Sequence, residues 1–265
     1  VQSVIKVLVI NGLGDSMKKL MIDDYINSLK IKRHESAGRW YSQGKSLNWK
    51  PSVTTIIGES CAKGKFFDEW LMKNGMNAEK LRDEAARRGT IVHENIEMLL
   101  NNGEIKAKDE FTQKCLMSFE KWYYEVKPTV MCQEIFLYHK DMPWAGTPDI
   151  VAEIDGSLSI VDIKTGDYRK SHEIQQLMYR DLWNKIFPET PIVNIYGLYV
   201  KGKWMKEPAY GFRKFKDNDI HYKVYDLWCF LNFPYGTPKP KHKAKLKEVF
   251  KLGPFGNTRS IDELL

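Results

Sequence analysis

Helical and strand-like periodicities alternate along the middle of the chain. In Ala78–Leu100 and again in Asp109–Val126, apolar residues recur every three or four positions, the spacing of a helix that buries one face. The period then shortens, and Val130–Tyr138, Asp149–Ile154 and Ser157–Lys164 have the composition and alternation of strands. The pattern therefore predicts two helices followed by three strands.

A tight turn and one further helix and strand complete this unit. Asp155-Gly156 separates the second and third strands, and it is a favoured two-residue hairpin turn because both residue types tolerate positive φ. Ser171–Phe187 returns to helical spacing before Pro188, and Ile192–Lys201 is another strand. The order helix, three strands, helix, strand predicts an α/β fold.

The two ends of the chain are less regular. Residues 1–50 are mixed and polar, with one short helix predicted over Ser16–Leu29. Pro51–Gly58 is rich in β-branched residues, which favours a strand, and Phe66–Asn74 has helical spacing. We therefore divide the chain into an N-terminal extension (1–50), a main domain with helical insertions (51–232) and a basic C-terminal tail (233–265).

Composition limits the function classes. The 265 residues are 43% apolar and 28% charged, which is enough to build a packed core. A net charge of +7 and a pI of about 9.0 favour a polyanionic partner, with nucleic acid first among the candidates. The mean hydropathy is −0.46 and no apolar run approaches the ~18 residues of a membrane helix, so a membrane protein is excluded.

The cysteines indicate the compartment. Four of them are scattered along the chain without a C-x-x-C pair. This spacing excludes a zinc ribbon and a dense disulfide framework, and it favours reduced thiols in an intracellular protein. We expect a cytoplasmic location in a bacterial or phage-infected cell, with an organelle as the alternative. Because the chain begins at Val1, a targeting signal upstream of it would not be visible.

The predicted hairpin brings charged residues together. Counting outward from its turn places Asp149 directly opposite Asp162, with Cβ atoms about 5 Å apart on the same face. Two carboxylates at that distance repel each other unless a cation lies between them. Lys164 is two residues beyond Asp162 and therefore points to the same face. We interpret the three residues as a divalent-cation site with a neighbouring ammonium group.

A histidine on the preceding helix is a further candidate ligand. His93 lies beside the buried stripe of Ala78–Leu100, and neutral imidazole binds transition metals such as Mn²⁺. Glu97, one turn later on the same face, is placed to orient His93 or to join the site through water. Gly89, one turn before His93, is expected to let the helix approach another backbone closely.

Each of these residues also has an ordinary structural interpretation. About one D-x-K tripeptide is expected by chance in a chain of this size. Asp149 is also compatible with a strand edge and Lys164 with a solvated strand end, and a lone helical histidine is more often half-buried or capped than a ligand. The cross-hairpin register and the apolar surroundings of the two aspartates favour the metal site.

Six motifs occur in an order that resembles a known nuclease superfamily. Gly146-Thr147-Pro148-Asp149 and Asp162-Ile163-Lys164 are similar to the core motif of the PD-(D/E)XK nucleases. The motifs that resemble the RecB-like exonuclease branch are Arg88-Gly89-Thr90-Ile91-Val92-His93, Gln133-Glu134, Gln175-Gln176-Leu177-Met178-Tyr179 and Pro51-Ser52-Val53-Thr54-Thr55-Ile56. The last is similar to a segment near the start of phage and mitochondrial exonucleases of this type. The match covers about residues 50–200, and it implies that the main domain is a nuclease domain.

The resemblance implies a fold and a set of functional residues. The fold is a restriction-endonuclease-like core, in which helices flank a mixed central sheet in the order α-β-β-β-α-β. The implied metal ligands are His93, Asp149, Asp162 and the Ile163 carbonyl. Lys164 would position or activate water, with Asp149 and Asp162 as its catalytic partners, and Glu134 would support the site.

DNA-binding residues are implied in the same way. Gln175 with Tyr179 would hold DNA or the neighbouring active-site strand, and Ser52, Thr54 and Arg88 would contact DNA. An ordinary polar flank of a helix is the alternative for Gln175 and Tyr179. For Ser52 and Thr54 the alternative is a strand whose hydroxyl groups face solvent.

The implied activity is that of an exonuclease that uses Mg²⁺ or Mn²⁺ to hydrolyse DNA in replication, recombination or repair. An endonuclease of the same fold and a non-catalytic DNA-binding module are the alternatives. The paired aspartates and the lysine argue against the binding module, which has no need of two opposed carboxylates. No iron–sulfur cluster is expected because Cys229 stands alone near the end, and the sequence contains no Walker A motif.

Basic and aromatic residues are interleaved after the predicted core. Lys203 and Trp204 belong to this group, with Lys201, Lys206, Tyr210, Phe212, Arg213, Lys214, Phe215 and Lys216, and an alternating run follows at Lys239, Lys241, Lys243, Lys245 and Lys247. Lysines neutralise phosphates and aromatic rings stack on unpaired bases, so the pattern favours single-stranded DNA or a frayed end. A solvated strand face with a flexible basic tail is the alternative. A single-strand-binding or recombination protein is the expected protein partner.

Overall fold

The computed structural model describes residues 13–35, 38–46, 48–61, 65–101, 105, 107, 109–204, 206–234, 236–240 and 247–248. These ranges contain seven α-helices, one 3₁₀ turn at Gly75–Asn77 and nine strands. The helices are α1 (Leu13–Ser28), α2 (Val53–Ser60), α3 (Lys65–Asn74), α4 (Ala78–Leu100), α5 (Glu110–Val126), α6 (Lys170–Ile186) and α7 (Ile220–Asn232). The strands are β1 (Ile31–Glu35), β2 (Arg39–Gln43), β3 (Lys50–Pro51), β4 (Thr129–Gln133), β5 (Ile150–Ile154), β6 (Ser157–Lys164), β7 (Asn194–Val200), β8 (Tyr210–Lys214) and β9 (Lys247–Glu248).

A five-stranded mixed sheet with the strand order β4-β5-β6-β7-β8 forms the centre of the protein. β4, β5 and β6 are antiparallel neighbours, β7 runs parallel to β6, and β8 is antiparallel to β7. Helix α6 makes the crossover that a parallel pair requires. From α5 to β7 the order of elements is α-β-β-β-α-β, so the predicted α/β fold is confirmed.

The hairpin β5–β6 has the predicted register. Ile154 pairs with Ser157 and Ile150 with Val161 across the turn. Asp155 and Gly156 have φ values of 50° and 71°, as a two-residue turn of this kind needs. Because the register is continuous, the next positions outward are Asp149 and Asp162.

Alternate residues of the hairpin fill two apolar layers, one on each face of the sheet. The layer that includes helices α4 and α5 contains Ile150, Ala152, Ile154, Val161, Ile163, Val92, Ile96, Phe119 and Trp122. The layer that includes helices α2, α6 and α7 contains Val151, Ile160, Val53, Ile56, Leu177, Trp183 and Trp228. By alternation, Asp149 and Asp162 belong to the second face.

Part of the N-terminal extension packs on this second layer. Strands β3, β2, β1 and β9 form a small antiparallel sheet, and Trp40 of β2 is 2% exposed. The ring centroid of Trp40 lies 5.9 Å from those of Trp228 and Phe233. Whether residues 1–50 are a separable unit stays a prediction, and Lys241, Lys243 and Lys245 of the basic tail lie outside the described residues.

The strand predicted over Pro51–Gly58 is wrong, because Val53–Ser60 is helix α2. The Ser52 hydroxyl caps this helix by accepting the N–H of Thr55 at 3.0 Å. Val53 and Ile56 are 0% exposed. Their burial outweighs the low helix propensity of β-branched residues, which costs less than about 1 kcal/mol per residue.

The strand predicted over Val130–Tyr138 is shorter than expected. β4 ends at Gln133, and the next residue, Glu134, has a φ of 48°, in the left-handed region. Beyond it, Leu137 forms an isolated bridge with Gly146. The change of direction at Glu134 ends the ladder and turns the chain toward the hairpin.

A buried lysine holds the loop that leads to Gly146. Lys50 is 4% exposed, and its ammonium group donates hydrogen bonds to the carbonyl oxygens of His139 (3.0 Å), Lys140 (2.6 Å) and Met142. The same group lies 5.2 Å from the centre of the Tyr138 ring. Its three donors are therefore used within the protein.

We expect Lys50→Met to lower the free energy of unfolding by about 2–4 kcal/mol, because buried carbonyl groups would lose a charged donor. Urea unfolding followed by circular dichroism measures this change. The control is Lys140→Met at an exposed neighbour, which should change the stability by less than about 0.5 kcal/mol. Equal stability of the two variants would show that the hydrogen bonds of Lys50 do not stabilise the folded protein.

No helix of the described residues is long and apolar enough to cross a membrane. All four cysteines lie within the described ranges, and none is bonded to another.

Candidate active site

Four elements bring their charged residues to one cleft of about 1030 Å³. Asp149 precedes β5, Lys164 ends β6, His93 lies on α4, and Glu134 follows β4. All four line the cleft, and so do Glu97 and Ile163. The structure therefore places six of the predicted metal-binding, catalytic and supporting residues around one space, although they are separated by up to 71 positions in the chain.

Asp162 lies beneath this cleft and is 0% exposed. Its Oδ2 atom is 2.5 Å from Nζ of Lys164, whereas Oδ1 has no hydrogen-bond donor among the described residues. Burial raises the pKa of Asp162, and the charge of Lys164 opposes that rise. A buried carboxylate oxygen without a donor is costly unless a cation or water completes it.

Asp149, His93 and Glu134 form a cluster of potential ligands. The Oδ2 atom of Asp149 accepts the N–H of Ile163 at 2.6 Å and lies 3.6 Å from Nδ1 of His93. One ligand atom from each of the three side chains lies within 4.8 Å of the others. This separation is small enough for one ion to reach all three.

The backbone of Glu134 explains how its carboxylate reaches the site. Its N–H donates to the carbonyl oxygen of Asp149 at 2.9 Å, and its positive φ turns the chain there. Burial raises the pKa of Glu134, and the negative charges of Asp149, Glu97 and Asp162 raise it further. A divalent cation would relieve this crowding of negative charge.

Lys164 is the ammonium group of this cluster. Burial alone would lower the pKa of Lys164, but the carboxylates of Asp162, Asp149 and Glu134 raise it above the usual value. The side chain therefore carries a positive charge at neutral pH. It faces the cleft at the point where the carboxylates meet.

The donor set fits Mg²⁺ or Mn²⁺. These ions prefer carboxylate, carbonyl and water oxygens, and Mn²⁺ also accepts an imidazole nitrogen. The cluster offers the carboxylates of Asp149 and Glu134 together with His93, and Asp162 beneath it adds an Oδ1 atom that has no donor among the described residues. Glu97 adds a further buried oxygen, which has no hydrogen-bond partner within the described part of the chain, and burial raises the pKa of Glu97.

Helix α6 contributes Gln175 and Tyr179 to the cleft wall. The Gln175 amide donates to the hydroxyl group of Tyr179 at 3.2 Å. A Cβ atom on Gly146 would lie 2.5 Å from Cε1 of Tyr179 and 3.3 Å from Cγ2 of Val53. The glycine of the Gly146–Asp149 motif is therefore required by the close approach of Tyr179.

Gly89 has no such requirement. A Cβ atom there would lie 3.7 Å from the Thr165 hydroxyl, an ordinary contact distance. The expectation that this glycine permits close backbone approach is therefore wrong. Small residues on this part of α4, namely Ala85, Ala86 and Gly89, do line the cleft.

Ser52 and Thr54 also line the cleft, at the start of α2. Their hydroxyl oxygens lie 2.9 Å apart, and the Ser52 hydroxyl is 2.8 Å from that of Thr55. The strand of the alternative interpretation is wrong, because Ser52 caps helix α2 and Thr54 belongs to it, but of the two residues Ser52 is buried and Thr54 is exposed.

Three predicted DNA-binding residues do not line this cleft. The Arg88 guanidinium lies 5.3 Å from the centre of the Phe111 ring. Trp204 donates from Nε1 to the carbonyl oxygen of Lys114 at 3.3 Å, and Lys203 beside it is exposed. These residues lie near the start of α5, outside the lining of the cleft.

Some of the aromatic residues after residue 200 belong to the core. Phe215 is 5% exposed, and Phe212 stacks on Tyr196 with ring centroids 4.6 Å apart. The Tyr210 hydroxyl donates to Glu125 at 2.6 Å. Base stacking by Phe215 is therefore excluded, since its ring is already covered by protein.

The sequence reasoning missed basic residues on the cleft walls. Arg33 and Arg39, on neighbouring strands of the N-terminal hairpin, line the cleft together with Arg169 and His172. Ile31 with Arg33, and Arg39 with Tyr41, are alternate residues that face the cleft. From that alternation, the sequence could have predicted that the two arginines lie on one face of the hairpin.

Comparison with known proteins gives only distant similarities. No family model matches the chain, and no curated protein matches it significantly. The chain is similar to a solved alkaline exonuclease from Laribacter hongkongensis, with 11% identity, 70% of this chain and 87% of that chain covered, and a TM-score of 0.39. It is also similar to a provisionally named exonuclease from Eubacterium rectale, with 16% identity, 70% and 66% covered, and a TM-score of 0.36. Similarities this weak support no conclusion about the site. The assignment of the site residues depends on the geometry described above.

Proposed function

We propose that the chain is a metal-dependent deoxyribonuclease that hydrolyses phosphodiester bonds at single-stranded or frayed DNA ends. The observation that carries this proposal is the fully buried Asp162 carboxylate, paired with Lys164 and adjoining the Asp149 cluster. Burying a carboxylate of this kind costs stability. A structural role alone does not account for that cost, whereas a metal site does.

The proposed roles follow from the chemistry of each side chain. His93, Asp149, Asp162 and the Ile163 carbonyl hold the ion, and Glu134 and Glu97 support it. Bound Mg²⁺ or Mn²⁺ lowers the pKa of water and offsets the charge that grows on the phosphate. Lys164 keeps its proton and places a positive charge beside the attacked phosphate, where negative charge increases.

A polyanionic substrate is supported by the walls of the cleft. Arg33, Arg39 and Arg169 line it around the acidic centre, so a phosphate backbone would meet positive charge on the way to the metal site. We place Ser52, Thr54, Gln175 and Tyr179 among the substrate contacts. Arg88, Lys203 and Trp204 are proposed as a second contact region near the start of α5.

The preference for DNA ends rests on the RecB-like histidine and glutamine motifs. We include in the proposal a role in replication, recombination or repair, a single-strand-binding or recombination protein as partner, and an intracellular location. An endonuclease of the same fold would use the same residues, and a binding module would not need the metal. The following experiment distinguishes these outcomes.

We expect the protein to degrade 5′- and 3′-labelled linear single strands when Mg²⁺ or Mn²⁺ is present, and to lose this activity in EDTA, because the carboxylates need the ion to hold a phosphate. A time course on linear single strands, linear duplexes and a closed circle measures the products. Closed circles should remain intact, and shortening from one labelled end gives the polarity. Cutting of the circle would identify an endonuclease, and binding without cleavage under every metal would identify a binding module.

A further inference from the structure

A histidine without a catalytic assignment lies in the cleft wall. His172 is the third residue of α6 and lines the same cleft as Asp149 and Lys164. Its ring is half-buried and packs near Tyr199 and Tyr168, with centroid distances of 5.9 and 6.5 Å. The ring is therefore held in one orientation before any substrate arrives.

The hydrogen bonds of His172 fix its tautomer. The backbone N–H of Arg169 donates to Nδ1 at 3.3 Å, and the Tyr199 hydroxyl lies 3.1 Å from the same atom. A backbone N–H can only donate, so Nδ1 must be the unprotonated nitrogen. A neutral imidazole then carries its proton on Nε2.

The ring is also neutral in ordinary buffers. Burial, together with the positive charges of Lys164 and Arg169, lowers the pKa of His172 to about 4. Among the described residues, no hydrogen-bond acceptor meets Nε2. The cleft therefore contains an oriented, uncharged N–H donor that none of the described residues accepts.

We propose that His172 contacts the substrate, with its Nε2–H donating to a non-bridging oxygen of a backbone phosphate in the cleft. This inference rests on the proposed function, since it requires a polynucleotide in the cleft. A fixed neutral donor loses little freedom on binding, and a charged phosphate oxygen is a strong acceptor. His172 adds a phosphate contact on α6, the helix that carries Gln175 and Tyr179.

Two substitutions separate the donor from the structural role of the ring. His172→Asn keeps an amide oxygen near the position of Nδ1, where it can still accept the Arg169 N–H, but it has no donor at the position of Nε2. His172→Gln returns an amide N–H to about that position. We expect His172→Asn to weaken the binding of a short oligodeoxythymidylate about tenfold. His172→Gln should recover most of this loss, and both variants should melt within a few degrees of the wild type.

The measurement is fluorescence anisotropy with the labelled oligonucleotide and Ca²⁺, accompanied by cleavage assays with Mg²⁺. Oligonucleotides in which one phosphate at a time is a neutral methylphosphonate provide the decisive readout. At one position, the methylphosphonate should weaken wild-type binding but should not add to the loss caused by His172→Asn. A general structural defect would weaken binding equally at every position.

The outcomes distinguish this inference from the proposed function. Wild-type affinity and cleavage in His172→Asn, or additive losses at every methylphosphonate position, would overturn the contact. If the wild type binds DNA with this position-specific pattern but does not cleave it, the contact stands and the nuclease proposal is wrong. If the wild type neither binds nor cleaves DNA, both are wrong.

Discussion

Asp162→Asn should lower kcat/KM for DNA hydrolysis by about 10³-fold, because the variant removes a negatively charged oxygen that we propose as a ligand of the metal ion. The fold should survive. In the absence of metal, Asp149 and Glu134 would face one negative charge fewer, and an amide is less costly to bury than a carboxylate. Loss of activity with an intact fold is therefore the expected result.

Metal binding can be measured separately from activity. Mn²⁺ should raise the melting temperature of the wild type, because an ion that binds only the folded state stabilises it, whereas Asp162→Asn should show a much smaller rise. Asp167→Asn is the matched control, since Asp167 also lines the cleft but its side chain is 98% exposed. An Asp162→Asn variant that keeps both the Mn²⁺ response and the activity would remove Asp162 from the site.

The hairpin could be predicted in detail because its geometry is local. Once Asp155-Gly156 is recognised as a two-residue turn, antiparallel pairing leaves one register, and alternation assigns each side chain to a face. The observed pairs Ile154–Ser157 and Ile150–Val161 follow that register. The opposition of Asp149 and Asp162 was therefore visible in about 14 consecutive residues.

Other parts of the cleft depend on contacts that the sequence does not display. Val53–Ser60 has the composition of a strand, but the Ser52 cap and the burial of Val53 and Ile56 make it a helix. The cleft arginines Arg33 and Arg39 come from a segment interpreted as an extension, and only the packing of its hairpin places them there.

The N–H donor of His172 is the feature of the cleft that the sequence indicates least. Its tautomer depends on the backbone of Arg169 and on the hydroxyl of Tyr199, which is 27 residues away in the chain. A pattern of residue types cannot indicate which ring nitrogen carries the proton, because that is decided by the position of single atoms. For the same reason, the sequence could not show that Oδ1 of Asp162 has no partner among the residues that the structure describes.

Lys164→Ala should separate binding from cleavage, with kcat at least about 100-fold lower and the affinity for DNA nearly unchanged. The ammonium group lies 2.5 Å from Asp162 and keeps its proton because several carboxylates surround it. It can therefore stabilise charge that develops only in the transition state, whereas arginines on the cleft walls contribute to ground-state binding.

The effect of Lys164→Ala on metal binding gives the sharpest contrast with Asp162→Asn. Removing a positive charge beside a cation site should leave the Mn²⁺-induced rise in melting temperature intact or enlarge it, since one source of repulsion is gone. Lys201→Ala is the matched control, because Lys201 follows the neighbouring parallel strand and pairs with the exposed Asp167 at 3.1 Å. Unchanged turnover of Lys164→Ala with Mg²⁺ would refute the catalytic role, and a lost Mn²⁺ response would show that the lysine maintains the shape of the site instead.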